Sequence, residues 1–475
     1  MNILGRIAPD RVILKPSTNG RNEPPDLRVF LGPVPIPYTV EAQHIVTIGA
    51  SGSGKTQAFE SVVAVLMQRP RDRLVILDPE SNLFTKLGQP CDTVVNIFDA
   101  RCPGLSLSHE MLTEEDSPQV ALAFVPPVPE GGQAEEWTGY GRTLVEAVMT
   151  SSPNAPPSEL YRRFFISSPA ELAKLVETTP ARRIFEPGAE RMLASVLAVL
   201  ASRLGYLRYL RDPAPETKPF TFTGWAREAP PGARLFLTYT VKQKRALFPL
   251  YNAGLSLLIS EMLSQPPVPQ PPTPGSYKRT WIIGDELGLL GRIAGIEDAV
   301  TNGRRFGLTV MAGFQDIHQP RHAYGANLAG SLLNSFGTWL VMAQNDGESA
   351  EYFSRALGNQ QIRRRLTSTS RGTGREFSQH QITTNEQIAT EPLVLAGELL
   401  HLPNLTGFLR VRGDPLLHKI TLPVMTWWGA RLEPFIRRPT ATLPPPPARL
   451  EAVNKPLGVP ALDFNFDFGD EALKK

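Results

Sequence analysis

The chain has 475 residues, of which 41% are hydrophobic and 20% charged, and its net charge is +3. This composition is typical of a globular protein with a large buried core. The small net charge excludes nucleic-acid binding through overall charge, so any such contact has to come from local arginine clusters or from a ring that concentrates them. The two cysteines, Cys91 and Cys102, are too few for a disulfide framework and indicate a reducing, cytoplasmic compartment.

The amino-terminal segment 1–40 combines prolines with short β-like runs, which predicts a strap or a small strand pair. It does not resemble a signal peptide. The longest apolar stretches, 192–200 and 254–263, are shorter than the roughly 18 residues that a membrane-crossing helix needs. We therefore expect a chain without a transmembrane segment.

Strand-like and helical patterns alternate through most of the chain. Short apolar runs at 74–78 and 94–98 precede a stretch without strand runs, 105–222, whose helical periodicity at 137–149, 169–177 and 190–210 predicts an inserted all-α domain. Strand-like runs return at 235–239, 281–283, 308–311 and 339–342. Buried apolar strands alternating with helices predict an α/β fold with a mostly parallel sheet, built from 41–104 and 223–430.

The carboxyl-terminal segment 431–475 is predicted to be a proline-rich linker followed by a tail. Residues 463–471 alternate acidic residues with phenylalanines. Such a peptide can dock its aromatic rings on a partner protein, and it is equally typical of a chain end without a role.

A complete P-loop follows the first apolar strand and opens a helix. Its residues are Gly49, Ala50, Ser51, Gly52, Ser53, Gly54, Lys55 and Thr56. The glycines let backbone N–H groups surround phosphates, and the helix amino terminus adds positive potential. Lys55 is expected to reach the β- and γ-phosphates of ATP, and the Thr56 hydroxyl is expected to bind Mg²⁺.

Two adjacent acids, Asp285 and Glu286, end the apolar run 281–283. In a P-loop protein, Asp285 is predicted to hold the magnesium ion and Glu286 to orient and deprotonate the attacking water, which indicates an ATP hydrolase. Taken alone, such a pair is also typical of a helix cap or a solvated strand end. No ABC-type signature occurs, and Asn454-Lys455 is followed by Pro-Leu, so the guanine-reading pattern is missing.

The segment 281–319, WIIGDELGLLGRIAGIEDAVTNGRRFGLTVMAGFQDIHQ, resembles the corresponding region of TraD/TrwB-type coupling proteins, the DNA-pumping ATPases of conjugation and type IV secretion. His44, Asp78-Pro79-Glu80, Phe98-Asp99-Ala100-Arg101, Tyr324-Gly325 and Ala350-Glu351-Tyr352 extend the likeness over roughly 30–425. The resemblance implies a RecA-like nucleotide domain related to HerA and FtsK, an all-α insertion and a homo-hexameric ring. Members that cross the membrane carry a hairpin that this sequence lacks, so we expect a cytoplasmic protein, peripheral at the inner membrane face.

The same resemblance implies two further catalytic residues. Arg304 is the expected arginine finger for a neighbouring subunit, with Arg305 as the rival, and the pair is also compatible with a solvated helix end. An arginine supplied in trans stabilises transition-state charge and accelerates hydrolysis about 10³–10⁵-fold. Gln315, after the next apolar strand, is expected to sense the γ-phosphate through its neutral amide.

Three arginine clusters are candidate DNA contacts. The segment 363–375 is basic and rich in hydroxyl groups, and we expect a flexible loop that forms a positive collar in a ring, or alternatively a solvated surface loop. Arg162-Arg163 and Arg182-Arg183 lie in the insertion, where the family places DNA recognition. His318 and His322 have helical spacing, but Pro320 between them and the lack of a third ligand argue against a metal site.

The sequence therefore predicts an ATP-driven DNA translocase that delivers DNA with its bound relaxase to secretion-channel subunits in the membrane. One alternative is a docking protein that recruits substrates and uses ATP as an assembly switch. Another is a DNA-packaging or segregation motor, which the long insertion disfavours.

Overall fold

The computed structural model describes residues 27–128, 132–269, 278–371, 380–426 and 431–439, together with four short strands before residue 18. The predicted tail at 463–471 lies outside the described residues. One compact unit covers Met1–Arg437, and a second covers Arg438–Lys475.

The described strands have the following bounds in chain order: β1 (Asn2–Ile3), β2 (Ile7–Ala8), β3 (Arg11–Ile13), β4 (Pro16–Ser17), β5 (Phe30–Leu31), β6 (Val34–Pro35), β7 (Ile45–Ile48), β8 (Arg73–Pro79), β9 (Thr93–Val95), β10 (Arg234–Tyr239), β11 (Thr280–Gly284), β12 (Leu308–Phe314), β13 (Thr338–Met342), β14 (Asn359–Arg371), β15 (His380–Pro392), β16 (Thr406–Val411), β17 (Leu417–Thr421) and β18 (Val424–Thr426).

The described α-helices have the following bounds: α1 (Tyr38–Glu41), α2 (Lys55–Leu66), α3 (Asn82–Leu87), α4 (Ser117–Phe124), α5 (Gly132–Thr150), α6 (Pro157–Phe165), α7 (Pro169–Leu175), α8 (Glu190–Leu204), α9 (Phe222–Glu228), α10 (Lys244–Leu263), α11 (Ile296–Asn302), α12 (His318–Tyr324), α13 (Ala326–Asn334), α14 (Gly347–Leu357) and α15 (Ala396–Leu400).

Nine strands form the central sheet in the order β17-β16-β13-β7-β12-β11-β8-β10-β9. The seven strands from β13 to β9 pair in parallel, and β16 and β17 add an antiparallel edge. Every residue of β7, β11, β12 and β13 is buried, as the continuous apolar runs indicated, because helices cover both faces. The predicted α/β class with a mostly parallel sheet is confirmed.

One predicted strand is shorter than expected. The run 94–98 was predicted as a strand, but β9 ends at Val95. The reason is that the Asn96 side-chain oxygen accepts a hydrogen bond from the Phe98 backbone N–H at 3.1 Å, which turns the chain away from the sheet.

The segment 105–222 is helical, with α4 to α8 and several 3₁₀ turns. Its two ends meet, since the Phe220 N–H donates to the Gly104 carbonyl at 2.7 Å and the Ser106 N–H donates to the Phe220 carbonyl at 3.2 Å. Its apolar residues share one core with the sheet. Gly254 of α10 lies against the Phe222 ring, where an added Cβ would approach the ring to 2.4 Å. The domain limits at 105 and 222 stay a prediction.

Among the described residues one helix, running over Val241–Leu263 with its 3₁₀ start, is long and apolar enough to cross a membrane by length and composition. The sequence shows an apolar run only from residue 254, whereas α10 begins ten residues earlier, at Lys244. About two thirds of the helix's apolar window is buried inside the protein, where α10 packs against α4, α9 and α11. This burial is typical of a core helix.

Residues 431–437, predicted as the start of the linker, contact the body of the protein. The Leu432 N–H donates to the Thr85 carbonyl at 3.2 Å, and the Ala100 N–H donates to the Ile436 carbonyl at 2.8 Å. The Arg101 guanidinium donates to the Glu433 carbonyl at 2.8 Å. The segment therefore lies beside the carboxyl end of β9, and the compact unit ends only at Arg437.

Candidate nucleotide site

The P-loop connects β7 to α2, and neighbouring strands hold it in place. The Gly49 N–H donates to the Phe314 carbonyl at 3.1 Å, and the Ala50 N–H donates to the Ala343 carbonyl at 2.7 Å. Gly52 and Gly54 have φ values of 81° and 109°, which side chains rarely tolerate. The loop is therefore a concave backbone turn directly before the amino terminus of a twelve-residue helix, the geometry that receives phosphate groups.

Lys55 lies under this turn with 7% of its surface exposed. Its ammonium donates to the carbonyls of Gly49 and Ala50. Burial lowers the pKa of Lys55, while the charges of Asp285 and Glu286 oppose that shift. A cation held in this position, with acids across the cavity, suits a triphosphate-magnesium group.

The structure brings Thr56 and Asp285 into contact. The Thr56 hydroxyl donates to Asp285 Oδ2 at 2.6 Å. Burial raises the pKa of Asp285, with the Thr56 hydrogen bond and the Lys55 charge acting in the opposite direction. The second oxygen, Asp285 Oδ1, is buried without a hydrogen-bond partner among the described residues. A hydroxyl beside a partly unsatisfied carboxylate is an oxygen donor set that fits Mg²⁺ and its bound waters.

Glu286 and Gln315 form the other side of the site, each half-buried. Gln315 Nε2 donates to Glu286 Oε1 at 3.3 Å, and the Gln315 backbone N–H donates to Gln319 Oε1 at 2.9 Å. These side chains follow β11 and β12, which are neighbouring parallel strands, so both project from the carboxyl edge of the sheet. The pair can hold a water molecule and respond to the group bound next to it.

A single cavity of about 350 Å³ joins these groups. It is lined by Ser51, Gly52, Gly54, Lys55, Thr56, Gln57, Asp285, Glu286, Gln315 and Leu405. Five of the eight predicted loop residues, both acids and the glutamine thus meet in one place, whereas Gly49, Ala50 and Ser53 do not line the cavity. Arg304 does not lie in this cavity.

Sequence reasoning missed Leu405. Its backbone N–H donates to the Ser53 carbonyl at 2.7 Å, and its carbonyl accepts from the Leu422 N–H at 2.7 Å, so it supports the P-loop from the β16 side. Its φ of 64° is unusual for leucine. Among its neighbours in the chain only the preceding Pro403-Asn404 pair signals a turn, and nothing in the sequence connects that turn with the P-loop.

Arg304 and Arg305 lie in the 3₁₀ turn Gly303–Phe306 before β12. The P-loop follows β7, the parallel neighbour of β12, so the turn and the P-loop are at opposite edges of the sheet. The seven residues of β12 separate the edges by about 20 Å. Arg304 is half-buried, whereas Arg305 is exposed and its guanidinium lies 6.0 Å from the Phe306 ring centre.

The candidate DNA contacts differ in structure. The sequence predicts a flexible loop at 363–375, but 363–371 belongs to β14, which pairs antiparallel with β15 in a long hairpin. The backbones of the two strands pair in register from Asn359 with Pro392 to Arg371 with His380, which makes the segment a strand. Residues 372–375 lie outside the described residues. Arg162 and Arg163 both form ion pairs with Glu159, whereas Arg182 and Arg183 are exposed on a 3₁₀ turn.

His318 lies near two carboxylates, with Nε2 at 3.5 Å from Asp346 Oδ1 and 3.8 Å from Glu348 Oε2. Within the described part of the chain, no group of three or more His, Cys, Asp or Glu side chains is placed to hold a metal ion.

The sheet is mostly parallel, the P-loop follows β7, and the paired acids follow β11, which is separated from β7 by β12. These features define a RecA-like P-loop protein. Residues 28–423 match the family model of the type IV secretion-system coupling protein DNA-binding domain. The chain belongs to this coupling protein family.

Relatives and solved structures agree with this assignment. Coupling protein TraD of Escherichia coli K12 is 25% identical over 410 residues, which are 84% of this chain and 55% of TraD. The chain therefore spans about half the length of that relative. The unbound bacterial conjugative coupling protein TrwBdeltaN70 superimposes with a TM-score of 0.76 and 28% identity, covering 87% of this chain and 93% of the other. Plasmid coupling protein TrwB in complex with ADP and Mg²⁺ gives a TM-score of 0.75 and 27% identity, covering 88% and 94%.

Proposed function

We propose that this chain is one subunit of a homo-hexameric, ATP-hydrolysing DNA translocase. It would act as a coupling protein that delivers DNA with its bound relaxase to the membrane subunits of a type IV secretion or conjugation channel. Its place would be cytoplasmic and peripheral at the inner membrane face. The observation that carries the proposal is the separation of Arg304 from the cavity around Lys55, Asp285 and Glu286 by the full height of the sheet.

The cavity supports ATP hydrolysis. The P-loop N–H groups and Lys55 would bind the phosphates, and Thr56 and Asp285 would hold Mg²⁺, which supplies charge neutralisation on the phosphate oxygens. Water would attack the γ-phosphorus and the bond from that phosphorus to the ADP oxygen would break. Glu286 would take the proton of the water, while Gln315, bonded to Glu286, would hold the water in line. The solved complexes of TrwB with the ATP analogue ADPNP and with ADP and Mg²⁺ support this assignment.

The position of Arg304 supports a ring. An arginine about 20 Å from its own P-loop has no role there, but a head-to-tail arrangement of subunits would bring it to the neighbour's cavity. Each site would then be complete only between two subunits. Arg304 is the favoured finger because it is half-buried, which restricts its direction, whereas Arg305 in the same turn is exposed.

The DNA contacts would come from repeated elements of the ring. The β14–β15 hairpin carries a basic strand, with Arg363 and Arg365 exposed. Of these two, Arg365 also forms an ion pair with Glu386 of β15 at 3.2 Å. Six copies would concentrate positive charge along one path for phosphates. In the insertion, the exposed Arg182 and Arg183 are better candidates than Arg162 and Arg163, whose charges are offset by Glu159.

ATP turnover measured against protein concentration, with and without DNA at low salt, tests the proposal. We expect turnover to rise more steeply than linearly with concentration, because sites form between subunits, and we expect DNA to increase it. The Lys55→Ala variant is the control for contaminating hydrolases. The proposal is contradicted if, under conditions where rings form, turnover rises only linearly with protein concentration and does not change when DNA is added.

A further inference from the structure

His44 is a buried histidine that connects the P-loop strand with the segment bearing Arg304. It directly precedes β7, has 2% of its surface exposed and adopts a φ of 68°. Its Nδ1 accepts a hydrogen bond from the Val310 backbone N–H of β12 at 3.0 Å. Regular pairing of β7 with β12 begins one residue later, at Ile45 and Met311. The imidazole therefore extends the hydrogen bonds of the sheet to the residue before the start of β7.

The other side of the ring faces the Arg304 segment. The backbone of Val300, which lies in α11, acts on the ring from this side and partly offsets the lowering of the His44 pKa. Two residues after Val300, α11 ends at Asn302 and the 3₁₀ turn with Arg304 begins. One ring nitrogen accepts from the Val310 N–H, and the backbone of Val300 also interacts with the ring. The side chain therefore lies between β12 and α11, at the point where both adjoin this turn.

The groups around the ring keep it neutral. Burial lowers the pKa of His44 to about 3, and the positive charges of Arg279 and Arg304 act in the same direction. The Phe336 ring meets the imidazole edge to face, with ring centres 6.2 Å apart. A neutral imidazole keeps one nitrogen without a proton, which is what accepting the Val310 N–H requires.

The backbone of His44 adds a link to the far side of β7. Its carbonyl accepts from the Thr338 N–H of β13 at 3.2 Å. The residue thus joins β7, β12 and β13 near their amino ends. A shift of β7 relative to β12 would therefore also displace α11. Any displacement of the P-loop strand on nucleotide binding would have a direct route to the arginine turn.

We propose that His44 is a positioning residue for the arginine finger, which fixes Arg304 of its own subunit in the direction that the neighbouring subunit's nucleotide site requires. This inference rests on the proposed role of Arg304 in trans. If the inference holds, a His44 variant loses hydrolysis at the neighbouring subunit's site and keeps its own P-loop intact.

Mixed rings test this inference. A Lys55→Ala subunit has a dead site but an intact finger, and an Arg304→Ala subunit has the reverse. Mixed in equal amounts, they should regain about a quarter of wild-type turnover, because one interface in four joins a good site to a good finger. If this reference mixture recovers no turnover, Arg304 does not act in trans, and the inference about His44 is overturned with it.

His44→Ala should lower turnover about 10²-fold, the size expected for a misplaced catalytic group, while binding of a fluorescent ATP analogue stays unchanged. Mixed with Lys55→Ala it should recover activity, and mixed with Arg304→Ala it should not. The opposite pattern, or recovery with neither partner, overturns the inference because it places the defect in the P-loop or in folding.

A second variant guards against misfolding. His44→Asn keeps an oxygen that accepts from the Val310 N–H but is too short to reach Val300 as well. It should fold, bind nucleotide and still behave as a finger-defective subunit in the mixtures. His401→Ala, which changes an exposed histidine, is the matched control and should leave turnover unchanged. Full activity of His44→Asn overturns the inference.

Discussion

The Thr56 hydroxyl donates a hydrogen bond to Asp285 Oδ2 at 2.6 Å, although 229 residues separate the two in the chain. This contact joins the start of α2 to the end of β11 across the carboxyl edge of the sheet. It sets the place where a magnesium ion would be held, because both oxygens project into the same cavity.

Loss of the Thr56 hydroxyl should raise the magnesium requirement. For Thr56→Ala we expect turnover to fall about 10²-fold at fixed Mg²⁺ and to recover partly as Mg²⁺ increases, since one oxygen ligand is lost. Thr56→Ser keeps the hydroxyl and should stay close to wild type. A Mg²⁺ titration of ATP turnover for the three proteins checks this, and equal curves for Thr56→Ala and Thr56→Ser would contradict the assignment.

Removal of the Glu286 charge should separate binding from hydrolysis. Glu286→Gln keeps the shape and the bond to Gln315 but loses the general base, so turnover should fall about 10²–10⁴-fold while ATP affinity changes little. Single-turnover hydrolysis and equilibrium binding measure the two effects. Glu398→Gln, at a surface carboxylate paired with Lys419, is the matched control. Turnover that remains near wild type in Glu286→Gln would exclude Glu286 as the base.

Gly313 should not accept a side chain. A Cβ at this position of β12 would lie 2.1 Å from the Asp285 carbonyl oxygen, so Gly313→Ala has to displace the backbone that carries both acids. We expect a loss of about 1–3 kcal/mol in the free energy of unfolding together with loss of turnover. Gly397→Ala, where no atom lies within 4 Å, is the control. Thermal unfolding and ATP turnover of both variants test this prediction. Wild-type stability and turnover of Gly313→Ala would contradict the described packing.

The buried His44 should make stability depend on pH. In the unfolded chain this histidine takes up a proton near pH 6.5, whereas in the folded chain its pKa is about 3. Between these values the unfolded state binds more protons, so the contribution of His44 to the free energy of unfolding is present above pH 6.5 and falls by about 1.4 kcal/mol per pH unit as the pH is lowered.

Denaturation of wild type and His44→Asn at several pH values between 7.5 and about 4.5 measures this contribution. We expect the stability difference between the two proteins to shrink as the pH falls. His401→Asn, at an exposed position, is the control variant. A difference between wild type and His44→Asn that is independent of pH would show that the imidazole is not buried as described.

Local patterns determined much of this protein from the sequence alone. The P-loop is a continuous segment whose glycines and helix start are specified by neighbouring residues, and the apolar runs of β7, β8, β10, β11, β12 and β13 reflect burial on both sheet faces. The family followed from several such segments and their spacing. The Asp285-Glu286 pair was visible for the same reason, because it ends one of these runs.

The tertiary structure decided those features that depend on which strands and helices become neighbours. Only the strand order puts β12 between β7 and β11, and so brings Thr56 to Asp285 and Gln315 to Glu286. Leu405 reaches the P-loop from β16, and His44 reaches Val310 across 266 residues. These contacts depend on long-range packing of whole faces, which no local pattern encodes, and the same packing buries α10 and places Arg304 at the edge opposite its own site.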